Sequence, residues 1–331
     1  DLTVRNDWSS TLPKENRSFA YPSISLGWTI TDMLSQFNID IPRWISFGKI
    51  RASYAEAGND TSPYQLSSTL TTVSNMTGGL MGVAEPSTKV NVNLKPENIE
   101  SIEFGTDIRF LENRLGVDIT YYDKRAFNQI ISMPTSITSG YSSRYINAGR
   151  IDNWGWEVQL NTVPIRNRDL DWSLWVNYAK NSSEVVELVE GVESITLARP
   201  MGQNIYVMAK VGEPYGQIYT NGFRYDNNGN RLIGDNGKFL VDSELRVSGN
   251  MNPDWTAGIG SSLRWKNVSF GFLLDIRYGG DIYLQSMMRL QPNGQTQETV
   301  AGREEYYTTG KGLISQGIIE STGLPNTIEL S

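Results

Sequence analysis

The chain has 331 residues and a formal net charge of −7, which argues against nucleic acid as a partner because such binding depends on clustered Lys and Arg. It contains neither His nor Cys, which excludes disulfides, thiolate metal sites and Ser-His-Asp catalysis, and we predict no cofactor and no metal site. Hydrophobic residues make up 39% of the chain, yet no apolar run approaches the ~18 residues of a membrane helix, which leaves spanning strands of ~10 residues possible.

The first predicted strand lies near the N-terminus, where apolar residues alternate with small or polar ones. The apolar positions are Ile24, Leu26, Trp28 and Ile30, and the positions between them are Ser23, Ser25, Gly27 and Thr29. A period of two is typical of a strand with one apolar face. After a linker at 31–43, residues 44–56 are predicted to form a second, less regularly patterned strand.

The clearest β-hairpin is predicted at residues 97–127. In its first arm the apolar residues are Ile102, Phe104, Ile108 and Phe110, and in its second arm they are Leu115, Val117, Ile119 and Tyr121. Charged or small residues occupy the positions between them. A polar break at Glu112 and Asn113 joins the arms. Two arms with a period of two and so short a connection predict antiparallel pairing.

Two further hairpins with the same pattern are predicted at residues 153–181 and 253–281. The first turns at 167–169, and its apolar face carries Trp154, Trp156, Val158, Leu160, Leu170, Trp172, Leu174, Val176 and Tyr178. The second turns at Lys266 and Asn267, and its apolar face carries Trp255, Ile259, Leu263, Trp265, Val268, Phe270, Phe272, Leu274, Ile276 and Tyr278.

Long polar stretches separate the hairpins, whereas tight turns join the arms within each one. The long stretches are 58–95, 128–150, 182–252 and 279–331. Short turns on one side and long loops on the other are the layout of an outer-membrane barrel. The sequence therefore predicts an all-β fold, part of an antiparallel transmembrane β-barrel with about 8–10 strands present and extracellular loops at these four stretches.

Large aromatic residues are predicted at both ends of the apolar face, as in the interface girdles of membrane barrels. The candidates are Tyr121, Trp154, Trp156, Trp172, Tyr178, Trp255, Trp265 and Tyr278. On the opposite face, charged residues are candidates for lining the lumen and contacting substrate. These are Asp107, Arg109, Asp118, Arg264, Asp275 and Arg277, although ordinary solvation of a wet lumen is the favoured explanation for each of them taken singly.

Other interpretations of the same pattern stay open at this point. Alternating strands also build soluble sandwiches, including glycan-binding domains, and eight strands can close into a small self-contained porin-like barrel. The Asp and Asn residues at 226–230 resemble a calcium loop superficially, but the glycine and the glutamate of an EF-hand are missing. Glu97, Glu100 and Glu103 do not lie on one strand face, so we predict no paired-carboxylate enzyme.

The stretch "LKPENIESIEFGTDIRFLENRLGVDITYYDKRAFNQI" at 94–130 resembles the SusC/RagA-type TonB-dependent transporters of Bacteroidetes outer membranes. Further passages resemble the same family in the same order. They lie at 5–32, 44–60, 145–165, 211–230 and 249–283. The resemblance covers most of the chain up to about residue 290 and is specific to the family rather than to one transporter.

The resemblance implies a 22-stranded barrel in the Gram-negative outer membrane, closed by a plug domain and surrounded by lipid. It also implies a SusD-like lipoprotein partner, energy from the TonB complex, and import of glycans or peptides. The chain would then supply barrel wall and loops and would carry out no enzymatic step. The plug, the TonB box and the C-terminal closing strand are not found in this sequence, so their residues cannot be placed on it.

Overall fold

The computed structural model describes residues 1–76, 80–199, 204–300, 303–310 and 312–330. Its strands are β1 (Leu2–Trp8), β2 (Ser18–Thr29), β3 (Ile45–Asn59), β4 (Thr71–Met76), β5 (Leu80–Ala84), β6 (Thr88–Lys89), β7 (Glu97–Phe110), β8 (Leu115–Pro134), β9 (Ser143–Arg166), β10 (Leu170–Glu187), β11 (Ser194–Ala198), β12 (Ile205–Lys210), β13 (Gln217–Phe223), β14 (Leu232–Ile233), β15 (Val241–Asn250), β16 (Trp255–Trp265), β17 (Val268–Tyr278), β18 (Leu313–Ile314), β19 (Ile318–Ile319) and β20 (Glu329–Leu330). The helices are α1 (Ile30–Gln36), α2 (Gln285–Leu290) and α3 (Arg303–Thr309), with 3-10 turns at Lys14–Asn16, Ile137–Ser139 and Gln297–Thr299.

One large sheet dominates the first compact unit, which comprises Asp1–Ile195, Ala209–Tyr215 and Pro253–Gly279. Its strand order is β1-β2-β3-β7-β8-β9-β10-β16-β17, and each neighbouring pair is antiparallel. The short strand β6 pairs in parallel with β9. Apart from β6, each strand of this sheet therefore lies beside the sheet's next strand in chain order, which confirms the predicted antiparallel wall. Strands β1 and β17 form its two edges.

The second compact unit comprises Thr196–Met208, Gly216–Asn252 and Gly280–Ser331. Strands β11, β12, β13 and β15 form a four-stranded sheet. Smaller ladders join β14 to β19 in parallel and β18 to β20 antiparallel. The stretches at 182–252 and 279–331 therefore contain secondary structure of their own. Residues 77–79, 200–203, 301–302, 311 and 331, which belong to three of the predicted loops, lie outside the described residues.

Tight turns join the arms of the three predicted hairpins, as expected. Between β7 and β8, Leu111, Glu112 and Asn113 have positive φ values of 52°, 54° and 64°. Between β9 and β10, the Asn167 side-chain oxygen accepts hydrogen bonds from the backbone N–H groups of Asp169 and Leu170, at 3.0 and 2.8 Å. Such side-chain caps and left-handed residues are the ordinary chemistry of tight turns.

The strands are longer than the hydrophobic pattern predicts. β8 continues to Pro134 and β9 begins at Ser143, so most of the predicted loop at 128–150 is strand and the break covers only 135–142. Likewise, β10 continues to Glu187. Hydrophobic alternation marks a strand only where one face is apolar, and these extensions lack it. The stretch at 128–150 therefore consists mostly of the ends of β8 and β9, and its extracellular position stays a prediction.

The register of the large sheet aligns the apolar residues of its strands on one side, which we call the apolar face. Its members include Leu26, Trp28, Ile50, Phe104, Ile119, Tyr121, Trp156, Val158, Val176, Tyr178, Ile259, Phe270, Phe272 and Leu274. Large side chains on this face are strongly exposed, including Leu26 at 69%, Phe104 at 56% and Phe270 at 64%. An apolar patch that extends across a whole sheet marks a surface made for a nonaqueous environment rather than for water.

No helix in the described part of the chain is long and apolar enough to cross a membrane.

The two faces should tolerate charge very differently. Leu160 on β9 lies on the apolar face between the predicted aromatic residues of its two ends, flanked by Val117 and Val176, whereas its neighbour Gln159 is exposed on the other face. Because the sequence predicts lipid against the apolar face, we expect Leu160→Arg to cost about 2–4 kcal/mol of folding free energy in the intact protein, as charges near the bilayer midplane do. Gln159→Arg, the matched control, should cost close to nothing. Equal losses in unfolding titrations of the two variants would contradict the facing assignment.

Candidate functional site

The opposite side of the large sheet, the polar face, carries the predicted charged residues. Asp107, Asp118 and Asp275 belong to one row of paired positions that also contains Gln159 and Asn177. The remaining candidates lie on the same face at other levels. Arg109 is two residues from Asp107, Arg277 is two residues from Asp275, and Arg264 pairs with Asp171 and Ser269. The structure thus places all six on one face but spreads them over four strands, β7, β8, β16 and β17.

The strongest ion pair on this face involves a residue that the sequence did not single out. Arg51 on β3 donates two hydrogen bonds to the carboxylate of Asp118 on β8, at 2.8 and 2.6 Å, and a third to the hydroxyl of Thr120. The contact crosses β7, which lies between the two strands. A bidentate guanidinium–carboxylate pair is the most directional form of ion pair. Both oxygens of the Asp118 carboxylate are therefore already paired within the sheet.

Two other predicted residues pair with each other. The Arg109 guanidinium donates to the Asp107 carboxylate at 2.9 Å and lies 4.9 Å from the centre of the Phe47 ring. Arg264 and Asp275 form no ion pair within the described part of the chain. The polar face therefore combines charge pairs that are neutral overall with individual polar side chains.

Two open concavities lie on the polar face, with volumes of about 490 and 770 Å³. Asp118 and Gln159 line both of them. Asp107, Arg109 and Trp175 line the smaller one. These concavities are wide, open and lined by amides and carboxylates, so they suit contact with hydrated, polar molecules rather than the enclosure of an apolar ligand.

The predicted aromatic residues are concentrated at two levels of the apolar face. Phe104, Tyr121 and Trp156 are successive partners in one row, and the Tyr121 and Trp156 rings are 4.9 Å apart. Trp255 is paired with Tyr278 and stacks on its ring at 5.2 Å. The other candidates at this end are Trp154 and Tyr178, which lie in the two neighbouring rows of the apolar face, one on each side of this row.

The second level lies near the tight turns. Trp172 pairs with Leu263, and its indole N–H donates to the Ser261 hydroxyl at 3.0 Å, while Trp265 pairs with Leu170. Trp44 also lies at this level, where it stacks on Phe110 at 5.7 Å and is 55% exposed. It was not among the predicted interface aromatic residues, because it precedes β3 and no alternation of apolar and polar residues marks its position.

The Asp and Asn residues at 226–230 form a closed turn. The Asp226 carboxylate accepts hydrogen bonds from the backbone N–H groups of Asn228 and Asn230 and from the Asn230 amide, at 2.8–2.9 Å. These bonds, the one from the Asn230 side chain first, hold the pKa of Asp226 below its usual value. Turn chemistry therefore explains the alternation. Within the described residues, no three Asp or Glu side chains lie close enough together to hold a metal ion.

Comparison with known proteins decides the family. Residues 1–310 match the family described as "TonB dependent receptor-like, beta-barrel". The chain belongs to this family. Receptors of this family are outer-membrane proteins of Gram-negative bacteria, so the large sheet is a section of an outer-membrane barrel. Lipid against the apolar face and a lumen on the polar side stay predictions of the hydrophobic pattern.

Curated relatives agree with this assignment. TonB-dependent receptor P3 of Formosa agariphila is 28% identical over 315 residues, which cover 87% of this chain and 31% of the relative. TonB-dependent receptor SusC of Bacteroides thetaiotaomicron is 25% identical over 334 residues, covering 96% of this chain and 33% of the relative. The chain thus spans about a third of the length of these relatives. Both relatives are TonB-dependent receptors.

Solved structures support the same fold. The RagAB peptide transporter superposes with a TM-score of 0.67 at 24% identity, over 83% of this chain and 31% of the other. The RagAB peptide importer in its closed-closed state gives a TM-score of 0.69 at 22% identity, over 85% and 31%. At this identity the likeness establishes the architecture of the barrel wall and nothing about cargo.

The Arg51–Asp118 ion pair should contribute measurably to the stability of the barrel wall. We expect Asp118→Asn to lower the free energy of unfolding by about 1 kcal/mol, since the pair is bidentate but a third or more exposed. Asp275→Asn, in the same row and outside any described ion pair, is the control and should leave stability unchanged. Denaturant titrations of the full-length protein in detergent would measure both, and a control as damaging as Asp118→Asn would refute the assignment.

The Asp226 turn should depend on pH in a defined direction. Because its pKa in the folded turn is lowered, its stabilising effect is present above the ordinary Asp pKa and is lost as the pH falls through the lowered value. Asp226→Ala should remove the effect at neutral pH as well. Hydrogen exchange should then become faster at the amides of Asn228 and Asn230 and stay unchanged in β8 and β9. Unchanged exchange in the turn would contradict the role of Asp226.

Proposed function

We propose that the chain forms part of the barrel wall and external loops of a TonB-dependent outer-membrane importer of oligosaccharides or peptides. The observation that carries the proposal is the two-faced antiparallel sheet. Its apolar face is partly exposed at the centre and strongly exposed at positions such as Leu26, Phe104 and Phe270, and its other face carries amides and paired charges. A molecule that crosses such a barrel meets mainly groups that can replace its water, with a few apolar side chains such as Leu273 among them.

The charge pairing on the polar face supports a cargo that is polar but carries no large net charge. Arg51 neutralises Asp118, and Arg109 neutralises Asp107, so the wall offers hydrogen bonds without a strong field of one sign. Neutral oligosaccharides and mixed peptides both fit this surface. The predicted contacts at Arg264, Asp275 and Arg277 belong to the same proposal.

We further propose that the complete protein works with a SusD-like surface lipoprotein and is driven by the TonB complex. SusC of Bacteroides thetaiotaomicron and the RagAB peptide transporter are among the proteins that this chain resembles, which supports a paired arrangement. The two rivals are less well supported. A soluble glycan-binding domain does not explain the exposed apolar face, and a self-contained small barrel does not explain relatives three times as long.

The test uses the full-length protein in its own outer membrane. A tagged copy would be extracted in detergent, and the deletion strain would be compared with the wild type for depletion of maltoheptaose and of tryptic casein peptides from the medium. We expect a surface lipoprotein to co-purify and depletion of one probe class to slow in the deletion strain and recover on complementation. Normal depletion of both probes without a co-purifying lipoprotein would contradict the proposal.

A further inference from the structure

A repeated arrangement on the polar face places a long side chain directly opposite a glycine of the next strand. In each case the two residues are partners in the ladder. The pairs are Arg51 with Gly105, Tyr122 with Gly155, and Trp175 with Gly260. A Cβ atom built on any of the three glycines would collide with the side chain of its partner, and at Gly155 it would also collide with the backbone carbonyl oxygen of Lys180. Each long side chain therefore lies flat on the neighbouring strand in the space that a Cβ would fill.

The first two side chains reach across the glycine to the strand beyond it. Arg51 passes over Gly105 on β7 and binds Asp118 and Thr120 on β8. Tyr122 passes over Gly155 on β9, and its hydroxyl donates to the Asn181 side-chain oxygen on β10 at 2.9 Å. Each contact ties together three adjacent strands. The glycine is what allows the crossing at the level of the sheet, because any side chain there would lift the partner toward the lumen.

The third case involves the largest side chain. The atoms nearest to a Cβ at Gly260 are all in the indole ring of Trp175. The ring thus occupies the space beside Gly260 that a Cβ would fill, in the way that aromatic side chains cover cross-strand glycines in designed sheets. The same residue lines the smaller concavity of the polar face. Its flat position adds little to the thickness of the wall at that point.

We propose that Gly105, Gly155 and Gly260 are positioning residues that set the clear width of the lumen along this section of the wall. They do so by accepting the arginine, tyrosine and tryptophan side chains flat against the sheet. A substitution at one of them would turn a long side chain into an obstacle in the passage. The proposal rests on the proposed function, since it assigns these glycines to the route that a cargo follows.

Strand β16 provides a matched pair of positions for the test. Gly258 and Gly260 lie on the same face two residues apart, but nothing lies within 4 Å of a Cβ at Gly258. In the full-length protein in detergent, Gly260→Ala should lower the thermal midpoint, whereas Gly258→Ala should leave it unchanged or raise it, since alanine restricts the unfolded chain more than glycine does. Adding Trp175→Ala should abolish the effect of Gly260→Ala, because the methyl group then meets empty space.

A second readout measures the width itself. A single cysteine at Asn161, the ladder partner of Trp175, would be labelled with a small and a bulky maleimide in full-length protein without other cysteines. We expect Gly260→Ala to slow the bulky reagent relative to the small one, and Gly258→Ala to leave the ratio unchanged. An unchanged ratio in Gly260→Ala, or an equal effect of Gly258→Ala, would overturn the proposal. Neither readout depends on cargo, so a failed uptake assay would count against the proposed function alone.

Discussion

Hydrogen-bonded pairing across the large sheet holds every strand in one register, and because the side-chain period is two, that register decides which medium each residue meets. Ile119, Val158 and Tyr178 are aligned on the apolar face, while Asp118, Gln159 and Asn177, each one position away, are aligned on the polar face. A slip of one residue in a single strand would exchange the two sets. Backbone groups in a membrane have no water to bond with, so the pairing itself is obligatory.

The polar wall reflects the same constraint in its charges. A carboxylate close to a lipid-backed sheet is poorly screened, so an unpaired one is costly unless water reaches it. Two of the acidic residues are compensated within the wall, Asp118 by an arginine two strands away and Asp107 by an arginine on its own strand. Compensation leaves the polar face weakly charged at these positions. Under the proposed function, a polar cargo would exchange hydrogen bonds with this face without being held at one point by a strong field.

Much of this architecture could be predicted from the sequence, and the limits have physical causes. The alternation at Trp154, Trp156 and Val158 predicted β9 because one face of that segment is apolar. The same strand begins at Ser143, where polar and apolar residues do not alternate and the pattern gives no signal. The partner of Asp118 could not be predicted, since Arg51 lies 67 positions earlier and the contact requires the register of three strands. Local patterns predict strands, but contacts across strands depend on tertiary pairing.

Glycines show this limit most clearly. From the sequence alone, Gly258 and Gly260 are equivalent, being small residues on the polar face of one strand, and each should weaken the strand slightly. The ladder separates them, because Gly258 lies opposite Asn177 and Gly260 lies opposite Trp175. Only at the second position does the missing Cβ create a space that another residue fills. Gly260 thus weakens its own strand slightly but makes room for the Trp175 side chain of the neighbouring strand. We propose above that this keeps the indole ring against the sheet instead of letting it project into the passage.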